Sequence, residues 1–135
     1  MQSAIHTPPE SKARLWSGRI LLAVPVVFLV FDSVIKLMRI TPVLDSFHEL
    51  GYPDSLSLAI GILESACLIV LLVPRTSILG AILLTGYLGG AVATHVRVGN
   101  PLGSHVLFPV YVALLIWAAL FLREGRLRAL VPLRT

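Results

Sequence analysis

Four apolar runs, at about residues 15–38, 56–73, 77–96 and 104–122, leave this chain few ways to fold. A helix needs about 20 apolar residues to cross a hydrocarbon core about 30 Å thick. Each run approaches that length, and the second is the shortest. Breakers separate them: Thr41-Pro42, Pro53-Asp54, Pro74-Arg75-Thr76 and Gly99-Asn100-Pro101. Asp54 or Ser55 is suited to cap the second helix, and Thr76 the third. Only 13% of the residues are charged, against about 25% in a soluble domain, and the mean hydropathy is +0.89. The expectation is an all-α integral membrane four-helix bundle, one domain over residues 15–122. A disordered tail over residues 1–14, with a solvated His6, precedes it, and a basic tail over residues 123–135 follows. The first run starts among Lys12, Arg14 and Arg19 like a signal peptide. It has no small-x-small cleavage site before Asp32, so it reads as a retained helix.

The formal charge of +4 sits at the edges of the apolar runs, where it suits phospholipid headgroups. No basic patch interleaved with aromatics is present, which argues against nucleic acid. Lys12, Arg14, Arg19, Arg75, Arg123, Arg126, Arg128 and Arg134 fall on one side of the membrane, and Lys36, Arg39 and Arg97 on the other. The positive-inside rule therefore predicts cytoplasmic N and C termini, in a bacterial-type plasma membrane. Cys67 stands alone in an apolar run, which excludes dithiol exchange within the chain and reads as a buried small side chain.

The first loop carries its own pattern. Thr41 and Pro42 look like a cap and first turn. Val43, Leu44, Phe47 and Leu50 share one helical face, and Gly51 stops the helix. Residues 42–50 read as a short amphipathic interfacial helix between helices 1 and 2, with His48 flanking its apolar face and looking back toward the bundle.

Charged groups inside a membrane helix cost about 2.5–3.5 kcal/mol each at its centre, so those that remain are informative. Glu64 lies near mid-membrane, on one face with Ser57, Gly61 and Ser65. Such a carboxyl either serves a proton or holds two helices together by a hydrogen bond. Asp32 and Lys36, four apart, can pair, and Arg39 extends their stripe; an interfacial ion pair is the alternative to a binding role. In residues 85–97, Gly86 and Gly90 form a GxxxG pair that permits close helix packing. Tyr87 and Thr94 share a face that His95 flanks, and Arg97 lies at the interface. His105 opens the fourth helix, which Pro109 starts or kinks. Tyr111 and Trp117 read as packing residues and Trp16 as an interfacial anchor. In this topology Asp32, Lys36, His48, His95, Arg97 and His105 all fall in the outer half, above a floor of Glu64 and Tyr87. A pocket open to the outer leaflet is expected. No metal site is, because the histidines lack paired spacing.

HELGYP (residues 48–53), GILE (61–64), PRTSILGAILLTGYLGGAVATHVR (74–97) and LRALVPLR (127–134) resemble the DoxX-like family of small four-helix membrane proteins. The resemblance covers nearly all of the chain after residue 14. It implies a four-helix bundle with Glu64, Tyr87, Thr94, His95 and Arg97 as motif positions. It also implies redox company, since the family is named for a subunit associated with quinol oxidation, and other relatives are linked to redox defence or serve as accessory proteins.

Three functions are open at this stage. The first is binding of a quinone-like lipophilic molecule in the outer-half pocket. Glu64, Tyr87 and His95 are then the catalytic candidates for hydrogen bonding and proton delivery, and Asp32, Lys36, His48, Thr94, Arg97 and His105 the ligand-binding candidates. Electrons would come from a redox partner protein or a partner-held redox cofactor. The second is a non-catalytic accessory subunit or assembly factor, docking through the Gly86/Gly90 face with Gly80 and Ala81. The third is a proton-coupled carrier of a small solute, which four helices would require to be a homo-oligomer.

Overall fold

The computed structural model describes residues 11–130, and they are helical almost throughout. The elements are α1 (Lys12–Met38), α2 (Thr41–Glu49), α3 (Ser55–Leu72), α4 (Ser77–Arg97), α5 (Phe108–Arg123) and α6 (Gly125–Leu130). Four helical stretches are long and apolar enough to cross a membrane, α1, α3, and α4 and α5 with their leading turns. They form a ring in which α1 packs on α3 and α5, and α4 on the same two helices.

Several boundaries differ from the sequence expectation. The segment expected to be a disordered tail is helical from Lys12, because the Ser11 side chain caps the helix by accepting from the Arg14 N–H at 3.1 Å. Residues 1–10, including His6, lie outside the described residues, as do 131–135. α1 continues through the buried Pro25. The fourth span does not begin as an α-helix at residue 104: a π-helical turn (Leu102–Val106) comes first, and Pro109 then occupies the first turn of α5. The expected basic tail is partly folded as well. Leu127 of α6 is buried, and the Arg128 guanidinium donates to the carbonyls of Phe121 and Leu122 at 2.7 and 2.9 Å, satisfying the open end of α5.

The burial pattern is that of a bundle in lipid. Leu22, Leu29, Leu68, Leu71, Leu84, Ile116 and Leu120 fill the centre. Ile20, Val27, Phe31, Ile62, Ile69, Leu79 and Leu114 point outward and stay exposed. In water that apolar belt would drive aggregation; in a bilayer it meets acyl chains. The inner seams must then be held by close packing and hydrogen bonds, because lipid supplies no hydrophobic drive between helices. Glycines mark three of those seams. A Cβ on Gly18 would meet the Ala119 carbonyl and Arg123 of α5, one on Gly61 would meet Lys36 and Leu37 of α1, and one on Gly80 would run into the Leu71 backbone of α3. Gly86 and Gly90, the pair that the GxxxG pattern singles out, face nothing within 4 Å in this chain.

α2 is the amphipathic exception. Val43 and Phe47 are buried beneath it, while Asp45, Ser46, His48 and Glu49 are exposed. It lies across the end of the bundle where α1 stops and α3 begins.

Candidate functional site

Beneath α2, the Lys36 ammonium joins three helices. Its Nζ pairs with Asp32 one turn back on α1, donates to Glu64 Oε2 of α3 at 2.9 Å and to the Tyr87 hydroxyl of α4 at 2.8 Å. The Tyr87 hydroxyl in turn donates to Glu64 Oε2 at 3.1 Å. An ammonium has three protons, so all of Lys36's donors are committed. Local chemistry sets this up. Gly61 lets α3 come within contact of the α1 backbone at Lys36. Ser57 Oγ, fully buried, donates to the Lys36 carbonyl at 2.9 Å. That carbonyl also accepts from the N–H of Arg39, which ends α1 in the left-handed region at φ 54°. Glu64 is 0% exposed, and its Oε1 is buried without a hydrogen-bond partner.

The cluster forms one wall of a cleft of about 910 Å³. Asp32, Lys36, Tyr87, Thr94 and His95 line it, and Glu64 sits behind Lys36 and Tyr87. The rest of the lining is mostly apolar: Phe28 and Phe108, whose rings meet edge to face at 5.0 Å, with Val43 and Phe47 of α2 overhead. Cys67, buried and free, borders it too.

Three expected ligand residues are placed elsewhere. His48 does not look back toward the bundle but pairs with Asp54 on the exposed side of the α2–α3 loop. Arg97 donates to the Leu50 carbonyl, and its guanidinium lies 5.7 Å from the Tyr52 ring centre. The loop turns there through Gly51 at φ 78°, a conformation that glycine adopts without strain. His105 is exposed on the π turn, beside Ser104 and edge to face with His95 at 5.8 Å. Arg97 and His48 therefore fasten the loop that roofs the cleft, and none of the three borders it. Among the described residues no three His, Cys, Asp or Glu side chains are grouped as metal ligands.

Two polar residues escaped the sequence reading. The Tyr52 hydroxyl bonds Thr94 Oγ1 at 2.7 Å, pinning the loop to α4. The conspicuous tyrosine of HELGYP was the available signal. Tyr52→Phe keeps the ring against Arg97 and removes one hydrogen bond, so stability should fall by about 1 kcal/mol, read as a lower thermal midpoint in detergent. An unchanged midpoint would show that Arg97 and His48 hold the loop without that bond. The other is Asn100, whose Nδ2 donates to His95 Nδ1 at 2.7 Å. An amide nitrogen only donates, so His95 Nδ1 accepts and the ring's own proton stays on Nε2. Nothing in the sequence pointed to that pairing.

A model of the DoxX-like family matches residues 20–119, a stretch that holds every cleft-lining side chain and Glu64 behind them. No curated protein and no solved structure matches the chain.

Proposed function

This chain belongs to the DoxX-like family of integral membrane proteins, and on that premise we propose that it binds a quinone-like lipophilic molecule in the cleft under α2. One observation carries the reading: the cleft is apolar over most of its lining, and its polar side chains are few, Asp32, Lys36 and Tyr87 on one wall and Ser46, Tyr52, Thr94 and His95 toward the α2 end. Its size falls within the range of small-molecule sites, about 300–1,000 Å³. A quinone ring offers carbonyl acceptors at its edge and an apolar face. His95 supplies a donor through Nε2–H, the only ring proton left once Nδ1 accepts from Asn100. Asp32 supplies an acceptor for the hydroxyl of the reduced form. Its carboxylate is part-exposed at the cleft, while its partner Lys36 links it to Glu64.

Behind that wall, Lys36 and Tyr87 connect the cleft to the buried Glu64 carboxyl, whose second oxygen has no partner. Buried groups left unpaired in this way are costly and call for a reason. Holding a proton close to a redox-active ring is one that fits. The electrons belong to a redox partner protein, so this chain binds and positions. With the termini cytoplasmic, the cleft faces the outer half of a bacterial-type plasma membrane, where such lipids diffuse.

The test is a titration of the protein in lipid nanodiscs with a decyl-substituted benzoquinone, read by quenching of tryptophan fluorescence. Trp117 reports from a half-buried position packed against the core, donating to Thr85 Oγ1 at 2.8 Å. Saturable quenching is expected, and His95→Phe should weaken it about tenfold, the equivalent of one hydrogen bond of about 1.4 kcal/mol. Quenching that rises linearly without saturation would end the quinone reading.

A further inference from the structure

The binding reading leaves open how a long-tailed molecule reaches a site roofed by a helix and walled by four others. We infer that the ligand enters sideways from the bilayer, through a gap between α3 and α4, and that its tail remains there while its ring rests on the polar wall. This rests on the cleft being a lipophile site.

The gap follows from where the helices touch. At the Pro74–Thr76 turn, α3 and α4 are in backbone contact, because Gly80 offers no side chain to hold Leu71 away. Further along α4 the same helix carries Gly86 and Gly90, and no atom of α3 comes within 4 Å of the Cβ positions they lack. The two helices have diverged. Leu63 of α3 and Ile82 and Leu83 of α4 border the cleft and yet are 54%, 53% and 43% exposed. A side chain that both lines an interior space and faces outward marks its mouth. The glycines keep that mouth open, since any larger residue on this face would project into it.

The other seams carry contacts that bridge them: α1 and α3 meet at Gly61, α1 and α5 at Gly18 and, beside the cleft, through the Phe28 and Phe108 rings at 5.0 Å, and α4 and α5 are tied by the Trp117–Thr85 hydrogen bond. Over the end, Phe47 and the Tyr52–Thr94 bond hold the α2 roof in place.

Charge selects the head group. The wall holds two carboxyls and one ammonium, for a net charge of −1, or zero when one carboxyl is protonated. Lys36 has no donor to spare. Arg97 is committed to the Leu50 carbonyl outside the lining. A carboxylate or phosphate head therefore finds no cation with a donor to spare, and bare anions are poorly tolerated out of water. A neutral ring with carbonyl or hydroxyl edges suits the wall; a fatty acid or phospholipid does not.

The experiment is photo-crosslinking in nanodiscs with a benzoquinone carrying a diazirine at the end of a long alkyl tail, and mass-spectrometric mapping of the insertions. The expected result is insertion at Leu63, Ile82 or Leu83, suppressed by excess unlabelled decyl-benzoquinone but not by palmitate. The Gly86→Leu/Gly90→Leu double variant should lose most of that insertion while folding normally, since both sites are open. Saturable insertion confined to α1, α2 or α5, or unchanged insertion in the double variant, would overturn the lateral entry and leave quinone binding standing. Competition by palmitate equal to that by the quinone would overturn the head-group selection. Diffuse insertion that excess quinone does not suppress would remove the binding reading itself, and the entry route with it.

Discussion

Replacing Lys36 by methionine should unfold this protein more thoroughly than removing any other single side chain of the cleft wall. The ammonium is 14% exposed and its partner Glu64 is 0% exposed, so solvent does little to screen either. Methionine fills a similar volume, yet it strands two carboxyls beside each other and strips Tyr87 of a donor. Breaking a buried ion pair from one side costs about 3–5 kcal/mol, a large fraction of a typical folding free energy of about 5–15 kcal/mol. The expected readout is loss of the monodisperse peak in mild detergent, or a sharply lower thermal midpoint. Glu64→Gln should be far milder, because the amide oxygen still accepts from Lys36 and Tyr87. The triple variant Asp32→Asn, Lys36→Met, Glu64→Gln should recover most of the folded yield, since removing all the charges together leaves none uncompensated. It should not recover quinone binding. If Lys36→Met were as stable as the parent, the cluster could not be an ionic junction of three helices. The proton-holding role given to Glu64 would then lose its structural basis.

The parts of this site that the sequence discloses are those in which a residue contradicts its surroundings. Glu64, with Ser57 and Gly61 on the same face, stands out in an apolar run because a carboxyl in lipid needs a partner. Asp32 and Lys36 are legible as a pair from their spacing alone. That Lys36 also reaches α3 and α4 is not legible. It depends on how each helix is rotated, and helices apolar all round carry no stripe to report their rotation. α2 shows the converse: it has one apolar face, and its burial follows the pattern from Val43 to Phe47. His48, Arg97 and His105 lie at the α2 end of the bundle but do not enter the cleft. Exposed carbonyls and turns at that end need donors, and nothing in the chain's pattern says which loop closes on which side chain. α6 was hidden for a similar reason, since a short basic segment reads as tail until Leu127 is seen packed against the core.

Glycine gives the sharpest contrast between pattern and packing, and a matched pair of alanine variants tests it. Gly80→Ala should be severely destabilising. Its Cβ would lie 2.2 Å from the Leu71 nitrogen and 2.3 Å from the Leu71 Cα, and backbone atoms cannot rotate out of the way as a side-chain tip can. Overpacking a tight contact costs about 1–3 kcal/mol, and a clash between two helix backbones belongs at the upper end or beyond. α3 and α4 would have to separate at their turn, where Thr76 Oγ1 bonds the Val70 carbonyl at 2.8 Å and Ser77 Oγ bonds the Val73 carbonyl at 3.1 Å. Gly90→Ala meets nothing within 4 Å. It gains helix propensity, up to about 1 kcal/mol in an exposed helix, so its stability should equal or slightly exceed that of the parent. Unfolding both variants by denaturing detergent from mild-detergent micelles reads the difference directly. Equal losses would mean that a second surface packs on Gly90 as closely as Leu71 packs on Gly80, and the gap between α3 and α4 would then be occupied by protein. A large loss at Gly80 alone would mean that this helix uses one glycine to close a seam and another, ten residues on, to leave one open.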